Sequence, residues 1–214
     1  MQLFDEPLQP SRHERLAEQT WLLRGFALPW LEQVLPALRA VLQAAPFRRM
    51  VTPGGHTMSV ALSNCGQWGW TTDASGYRYT EHDPSTGLPW PELPLALSTM
   101  AAEAAAAAGF PDFTPDACLI NRYLPGAKMS LHQDRNEQDF AAPIVSVSLG
   151  LPAMFQLGGA QRSDRPLRVP LLHGDVMVWG GVDRLRFHGV LPLKPGSHEM
   201  MGAQRINFTL RKAR

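Results

Sequence analysis

His132 and Asp134, in the run Ser130-Leu131-His132-Gln133-Asp134, place an imidazole and a carboxylate two residues apart. In an extended strand successive side chains alternate faces, so residues i and i+2 point the same way. One more imidazole would complete the two-histidine, one-carboxylate facial set that binds non-haem Fe(II) and leaves coordination positions open for co-substrate and O2. His188, in Arg186-Phe187-His188-Gly189-Val190, is the candidate third ligand. A His-x-Asp pair alone is common by chance and describes a polar strand end equally well. Its weight comes from the rest of the chain.

The run Arg205-Ile206-Asn207-Phe208-Thr209-Leu210-Arg211 alternates strictly. One face of such a strand is apolar, and the other carries two guanidiniums, an amide and a hydroxyl. An ordinary solvent-facing strand reads the same way. If the polar face lines a barrel mouth instead, two arginine forks form a site for a dicarboxylate such as 2-oxoglutarate. Asn121 and Tyr123, also two apart, are placed to add hydrogen bonds to its oxygens. A third stretch interleaves aromatics with glycine, in Trp68-Gly69-Trp70-Thr71-Thr72 and Gly76-Tyr77-Arg78-Tyr79, before a proline-rich loop through Pro94. Read as loops and turns, these residues either pack onto the core or form a lid whose flat faces suit a flat substrate, since any base stacks on an aromatic ring.

These groups must be positioned by a scaffold of short strands. At 214 residues, with 44% hydrophobic and 18% charged content, the chain suits one domain with a sizeable core and excludes global disorder. A net charge of +1 excludes recognition by bulk charge alone, so any nucleic-acid surface must be local. No apolar run approaches membrane-spanning length, and the first residues lack a signal-peptide layout, so no membrane association and a cytoplasmic location are expected. Cys65 and Cys118 have no CxxC partner and read as reduced core thiols.

The spacing predicts a loose tail over 1–18, a short strand over 20–26, and a helix over 29–45 bent or divided by Pro36. A strand over 57–62 and an alanine-rich helix over 95–108 on the outer face of a sheet follow. Strands are then predicted at 117–123, 128–132, 144–149, 153–157, 167–171, 175–179, 187–190 and 205–211. The fold class is α+β and mainly β, a double-stranded β-helix or jelly roll with flanking helices on one face.

Asn121-x-Tyr123, His132-x-Asp134, His188 and Arg205-x-Asn207-x-Thr209-x-Arg211 occur in the order and spacing of one family. With Val51-Thr52-Pro53-Gly54-Gly55, Gly69-Trp70-Thr71-Thr72 and Ala142-Pro143-Ile144-Val145-Ser146, the chain from Thr20 onward resembles the AlkB family of Fe(II)/2-oxoglutarate dioxygenases. A joint match is far more specific than any one motif. The resemblance implies a single domain over 19–214, with a nucleotide-recognition lid at about 48–92. It implies Fe(II) held by His132, Asp134 and His188, which carry the catalysis. It implies 2-oxoglutarate held by Arg205 and Arg211, with Asn121, Tyr123 and Asn207 assisting. Trp70 would stack on an extracted methylated base, opposite the His132 ring. Tyr77 and Thr52 would contact the nucleotide backbone, Arg162 the base or strand, and Met58 the pocket wall. Where the bacterial dealkylase of this family carries an acidic residue, this chain has Asn136, expected near the exocyclic group of the base, with Glu137 as a compensating charge. Asp175 and His173 read as structural. The implied activity is oxidative demethylation of 1-methyladenine and 3-methylcytosine in single- or double-stranded DNA, often also RNA, by a monomer using Fe(II), O2 and 2-oxoglutarate. The alternative is the same chemistry on a protein or small molecule.

Overall fold

The structure is a computed structural model and describes residues 13–214. The chain enters on an antiparallel pair, β1 (His13–Ala17) and β2 (Thr20–Leu23), and continues into α1 (Leu31–Ala44). β3 (Ala61–Gly66), a hairpin of β4 (Gly69–Asp73) and β5 (Gly76–Thr80), and α2 (Leu95–Ala107) come next. The remaining strands are β6 (Ala117–Tyr123), β7 (Met129–His132), β8 (Ile144–Gly150), β9 (Ala153–Leu157), β10 (Leu167–Leu171), β11 (Val176–Trp179), β12 (His188–Val190) and β13 (Arg205–Arg211). One sheet has the order β1-β2-β11-β8-β13-β6-β3 and a second the order β10-β9-β12-β7. This is the mainly β jelly-roll architecture that the strand spacing predicts.

The larger sheet has two buried faces, each with its own apolar cluster. On one face Val145, Val147, Ile120, Ile206, Phe208 and Leu210 pack against Val34, Leu38 and Val41 of α1 and Leu97, Met100 and Ala104 of α2. On the other, Leu119, Tyr123, Met177 and Trp179 meet Phe155, Leu157 and Val190 of the smaller sheet. Alternation along each strand therefore sorts its residues between an apolar layer under the helices and the space between the sheets. All seven residues of β13 are buried. Its polar face is turned into the space between the sheets, which decides between the two readings of that strand.

Several expectations are corrected. The N-terminal tail does not reach residue 18: His13–Ala17 pairs with β2 as an edge strand, and residues 1–12 lie outside the described part. Pro36 sits inside α1 without dividing it. The proline and Glu32, whose carbonyl loses its usual donor, are both exposed, while Val34 and Leu38 anchor the helix on either side. The strand expected at 57–62 runs instead from Ala61 to Gly66, and Thr57 makes only an isolated bridge to Val51. Its polar sequence hid it, because buried Asn64 is satisfied by Trp70: its amide donates to the Trp70 carbonyl and accepts from the Trp70 N–H, both at 3.0 Å. The aromatic stretch expected as loops is the β4–β5 hairpin. Cys65 and Cys118 are free, buried, and opposite each other on β3 and β6. Among the described residues no helix is long and apolar enough to cross a membrane.

Candidate active site

The two histidines are brought together by strand register. β7 and β12 pair antiparallel with His132 opposite His188, and the ring centroids are 4.4 Å apart. Gly189 permits the close approach, since a Cβ there would stand 2.7 Å from the Met129 carbonyl oxygen. Asp134 lies two residues beyond the end of β7, in irregular chain rather than on the strand. His132 Nε2 is 3.7 Å from Asp134 Oδ1, and His188 Nε2 is 3.7 Å from Asp134 Oδ2. The three ligand atoms lie within 4.8 Å of one another and form a metal site.

Second partners fix which atoms face the metal. His132 Nδ1–H donates to the Ser130 carbonyl at 2.8 Å and His188 Nδ1–H to the Arg186 carbonyl at 3.0 Å. A carbonyl only accepts, so both Nε2 atoms keep their lone pairs for a metal. The His188 ring is clamped by Phe155, 6.0 Å away, and Trp179, 5.1 Å away. Burial, reinforced by His132, pushes the His188 imidazole down to about 4, which leaves it neutral and ligand-competent near neutral pH.

A pocket opens between the sheets beside these ligands, lined also by Asn121, Tyr123, Arg205, Asn207 and Arg211. The structure thus gathers all five residues expected to hold a co-substrate. Arg205 is 1% exposed; its guanidinium donates to Ser148 Oγ at 2.9 Å and lies over the Tyr123 ring. Among the described residues its buried Nε and Nη1 find no hydrogen-bond partner, and neither does Asn121 Oδ1. A buried guanidinium with idle donors is costly unless an anion completes it. A carboxylate group fits this cradle. The two-imidazole, one-carboxylate donor set likewise fits Fe(II).

Behind Asp134 lies a buried polar network that the sequence reading missed. Arg211 donates from Nε at 3.0 Å and from Nη2 at 2.7 Å to Asp134 Oδ2, and from Nη1 to the Tyr79 hydroxyl at 3.3 Å. Tyr79 donates to Glu137 Oε1 at 2.6 Å. Arg184 donates to Glu137 Oε2 at 3.2 Å and to the Asp134 carbonyl at 2.9 Å. Glu137 is 5% exposed and spent on these partners, so it is not the compensating pocket charge expected beside Asn136. Burial alone would raise the Asp134 carboxyl, but Arg211, with His188, His132 and Arg184, holds it well below the usual carboxylate range. Arg184 gave no pattern signal. Tyr79 was recoverable from the hairpin, since it pairs directly with Trp70.

The residues expected to touch a nucleotide are set around this pocket rather than in it. Trp70 and the exposed Tyr77 stack at 5.6 Å with an interplanar angle of 21°. Trp70 Nε1–H donates to Asn136 Oδ1 at 3.2 Å, which joins the hairpin to the segment after Asp134. Arg162 lies over Phe187, the neighbour of His188, at 5.3 Å. Met58 packs partly buried against the inter-sheet core, and Thr52 accepts from the His56 N–H at 3.3 Å in a turn preceding β3. His173 is structural: its Nδ1 accepts from the Gly150 N–H at 2.9 Å. Asp175 anchors a turn by accepting from the Leu172 and Gly25 N–H groups.

An antiparallel jelly roll with a His-x-Asp…His metal site defines a non-haem iron dioxygenase fold, and comparison with known proteins agrees. Residues 20–211 match the 2OG-Fe(II) oxygenase superfamily. The chain is 56% identical over 200 residues to the alpha-ketoglutarate-dependent dioxygenase AlkB of Escherichia coli, covering 94% of this chain and 93% of that protein. It is 45% identical over 182 residues to the AlkB homolog of Caulobacter vibrioides, covering 85% and 81%. The solved structure of OsALKBH1 superposes with a TM-score of 0.80 at 25% identity, covering 94% of this chain and all of that one. The chain belongs to the AlkB family of Fe(II)/2-oxoglutarate-dependent dioxygenases. It is accordingly an enzyme that uses Fe(II), 2-oxoglutarate and O2, with the metal at His132, Asp134 and His188.

Proposed function

We propose that this enzyme repairs alkylated nucleic acid by oxidative demethylation, with 1-methyladenine and 3-methylcytosine in DNA as substrates and RNA as a further substrate class. The observation that carries the reading is the link between an aromatic hairpin and the metal centre, Trp70 to Asn136, two residues beyond Asp134. Relatives support it: beside the AlkB proteins, human ALKBH1, 37% identical over 103 residues, is a nucleic acid dioxygenase by name. Bound Fe(II), with 2-oxoglutarate and O2, supplies the oxidising power that puts oxygen into a methyl C–H bond while 2-oxoglutarate becomes succinate and CO2. The resulting hydroxymethyl group on a base nitrogen leaves as formaldehyde and restores the base.

In this reading Arg205 and Arg211 hold the two carboxylates of 2-oxoglutarate, with Asn121, Tyr123 and Asn207 alongside. Trp70 stacks on a base taken out of the helix, as chemistry on a base requires. Tyr77, Thr52, Met58 and Arg162 shape its surroundings. Residues 19–214 act as one domain and as a monomer, on single- or double-stranded substrate, in the cytoplasm. Comparing turnover on a methylated oligonucleotide with turnover on free methylated nucleosides and peptides tests the reading. A preference for the free compounds would favour the small-molecule or protein alternative.

Lesion choice should turn on Asn136. An indole N–H only donates, so the amide oxygen of Asn136 faces Trp70 and its NH2 is left for the substrate side. An amide NH2 suits a carbonyl, as in 1-methylguanine and 3-methylthymine. 1-Methyladenine and 3-methylcytosine are cations carrying an amino group. Asn136 is exposed, so a carboxylate there would attract them by about 0.2–1 kcal/mol. Asn136→Asp should therefore raise the ratio of rates on 1-methyladenine to 3-methylthymine by about threefold. An unchanged ratio in iron-loaded variants would remove Asn136 from the substrate pocket.

A further inference from the structure

Trp70 and Tyr79 are directly opposed in the β4–β5 hairpin, so their side chains share one face. Both pack in the same small cluster with Trp68 and Ala117. The two rings look to different partners: Trp70 reaches Asn136, while the Tyr79 hydroxyl reaches the charged network behind Asp134. Among the described hairpin residues, that hydroxyl is the sole group that hydrogen bonds to Arg211 and Glu137. Tyr79 is 6% exposed, Glu137 5% and Arg211 5%, so the contact is shielded from water, where geometry and charge count most.

The arrangement has a defined direction. The Tyr79 hydroxyl donates its hydrogen bond to Glu137, which orients the phenol oxygen's lone pairs toward Arg211 Nη1. With Nη1 held there, the guanidinium plane is fixed so that Nε and Nη2 converge on one oxygen, Asp134 Oδ2. Asp134 Oδ1 takes no hydrogen bond from the network residues named above and is the oxygen on the His132 side. We propose that Tyr79 is a positioning residue of the metal centre: its hydroxyl sets Arg211 against Asp134 and so ties the metal-binding carboxylate to the hairpin that carries Trp70. It touches neither metal nor substrate. Its effect is to make hairpin placement and metal binding favour one another, and a coupling of that kind is reciprocal.

Tyr79→Phe removes the hydroxyl and keeps the ring. Two readouts separate positioning from mere stability, with thermal melting as the folding control. The first is Mn(II) affinity, followed by electron paramagnetic resonance, since Mn(II) accepts nitrogen and carboxylate ligands without turnover. The variant should melt close to wild type and bind Mn(II) about three- to tenfold more weakly, roughly the net worth of one ordinary hydrogen bond, since the hydroxyl acts on the metal only through Arg211 and Asp134. The second is the factor by which Mn(II) and 2-oxoglutarate tighten binding of a 1-methyladenine oligonucleotide, which should fall toward one in the variant. This readout rests on the proposed function. If wild type binds no oligonucleotide, that function fails while the Mn(II) comparison still decides the role of Tyr79. A folded variant with wild-type Mn(II) affinity would overturn the positioning role. An unchanged tightening factor would overturn the link to the hairpin.

Discussion

Asp134→Ala is expected to abolish turnover and to destabilise the metal-free protein, a pair of losses that its fellow ligands should not share equally. All three ligand variants, His132→Ala, Asp134→Ala and His188→Ala, should lose activity by orders of magnitude, because a facial site missing one protein ligand loses both affinity and geometry. Their stabilities should diverge. The Asp134 carboxylate takes two donors from Arg211, and the pair is almost fully buried, with side chains 9% and 6% exposed. Removing Asp134 leaves the buried guanidinium with only Glu137 Oε1, at 3.5 Å, and the Tyr79 hydroxyl, at a cost of up to about 3 kcal/mol. The His132 side chain is 38% exposed, and its loss should cost little. His188, clamped by Phe155 and Trp179, should fall between, through the cavity it leaves. Melts in chelator, with metal content measured in parallel, check this order. The sign of the pH dependence follows from Arg211 holding the Asp134 carboxyl low: wild type should keep its advantage over Asp134→Ala above about pH 4 and lose it on further acidification. Equal melting of the Asp134 and His132 variants would show that the Arg211 pair contributes nothing.

The second large effect is expected at Arg205. Its two idle buried donors are the strongest sign in the structure that an anion completes the site. Arg205→Lys keeps the positive charge and loses the planar fork that meets a carboxylate with two parallel bonds. The 2-oxoglutarate concentration for half-maximal turnover should rise roughly 10- to 100-fold, with turnover at saturation less affected, since one charge-assisted bond accounts for roughly that factor. Burial disfavours the charged form of this guanidinium, with Tyr123 opposing, and a bound carboxylate would restore the balance. An unchanged requirement would move the distal carboxylate contact elsewhere.

Much of this was legible in the sequence because alternation is a local signal. β13 and β6 have the bounds that their alternating apolar residues mark, and the same alternation put Arg205, Asn207, Asn121 and Tyr123 on common faces. What alternation could not say was which face is wet, and β13 turned out buried on both. The sequence failed where polar residues are paid off by distant partners. Ala61–Gly66 reads as polar and is a fully buried strand, because Asn64 and Ser63 bond to Trp70 and to the Ala45 carbonyl. Glu137 reads as a surface charge and is locked to Arg184, far along the chain. Such pairings have no periodicity to detect. The His132–His188 contact is intermediate: the types were legible, but their meeting depends on the register of β7 and β12 and on the absence of a side chain at Gly189.

The proposed reaction is tested most directly by mass spectrometry of a single-stranded oligonucleotide carrying one 1-methyladenine, incubated with the enzyme, Fe(II), 2-oxoglutarate and O2. The oligonucleotide should become lighter by one methylene unit and match the unmodified sequence, with formaldehyde and succinate formed in equal amounts and neither formed by the Asp134→Ala variant. Succinate formation with an oligonucleotide of unchanged mass, for 1-methyladenine and 3-methylcytosine alike, would contradict a nucleic-acid demethylase.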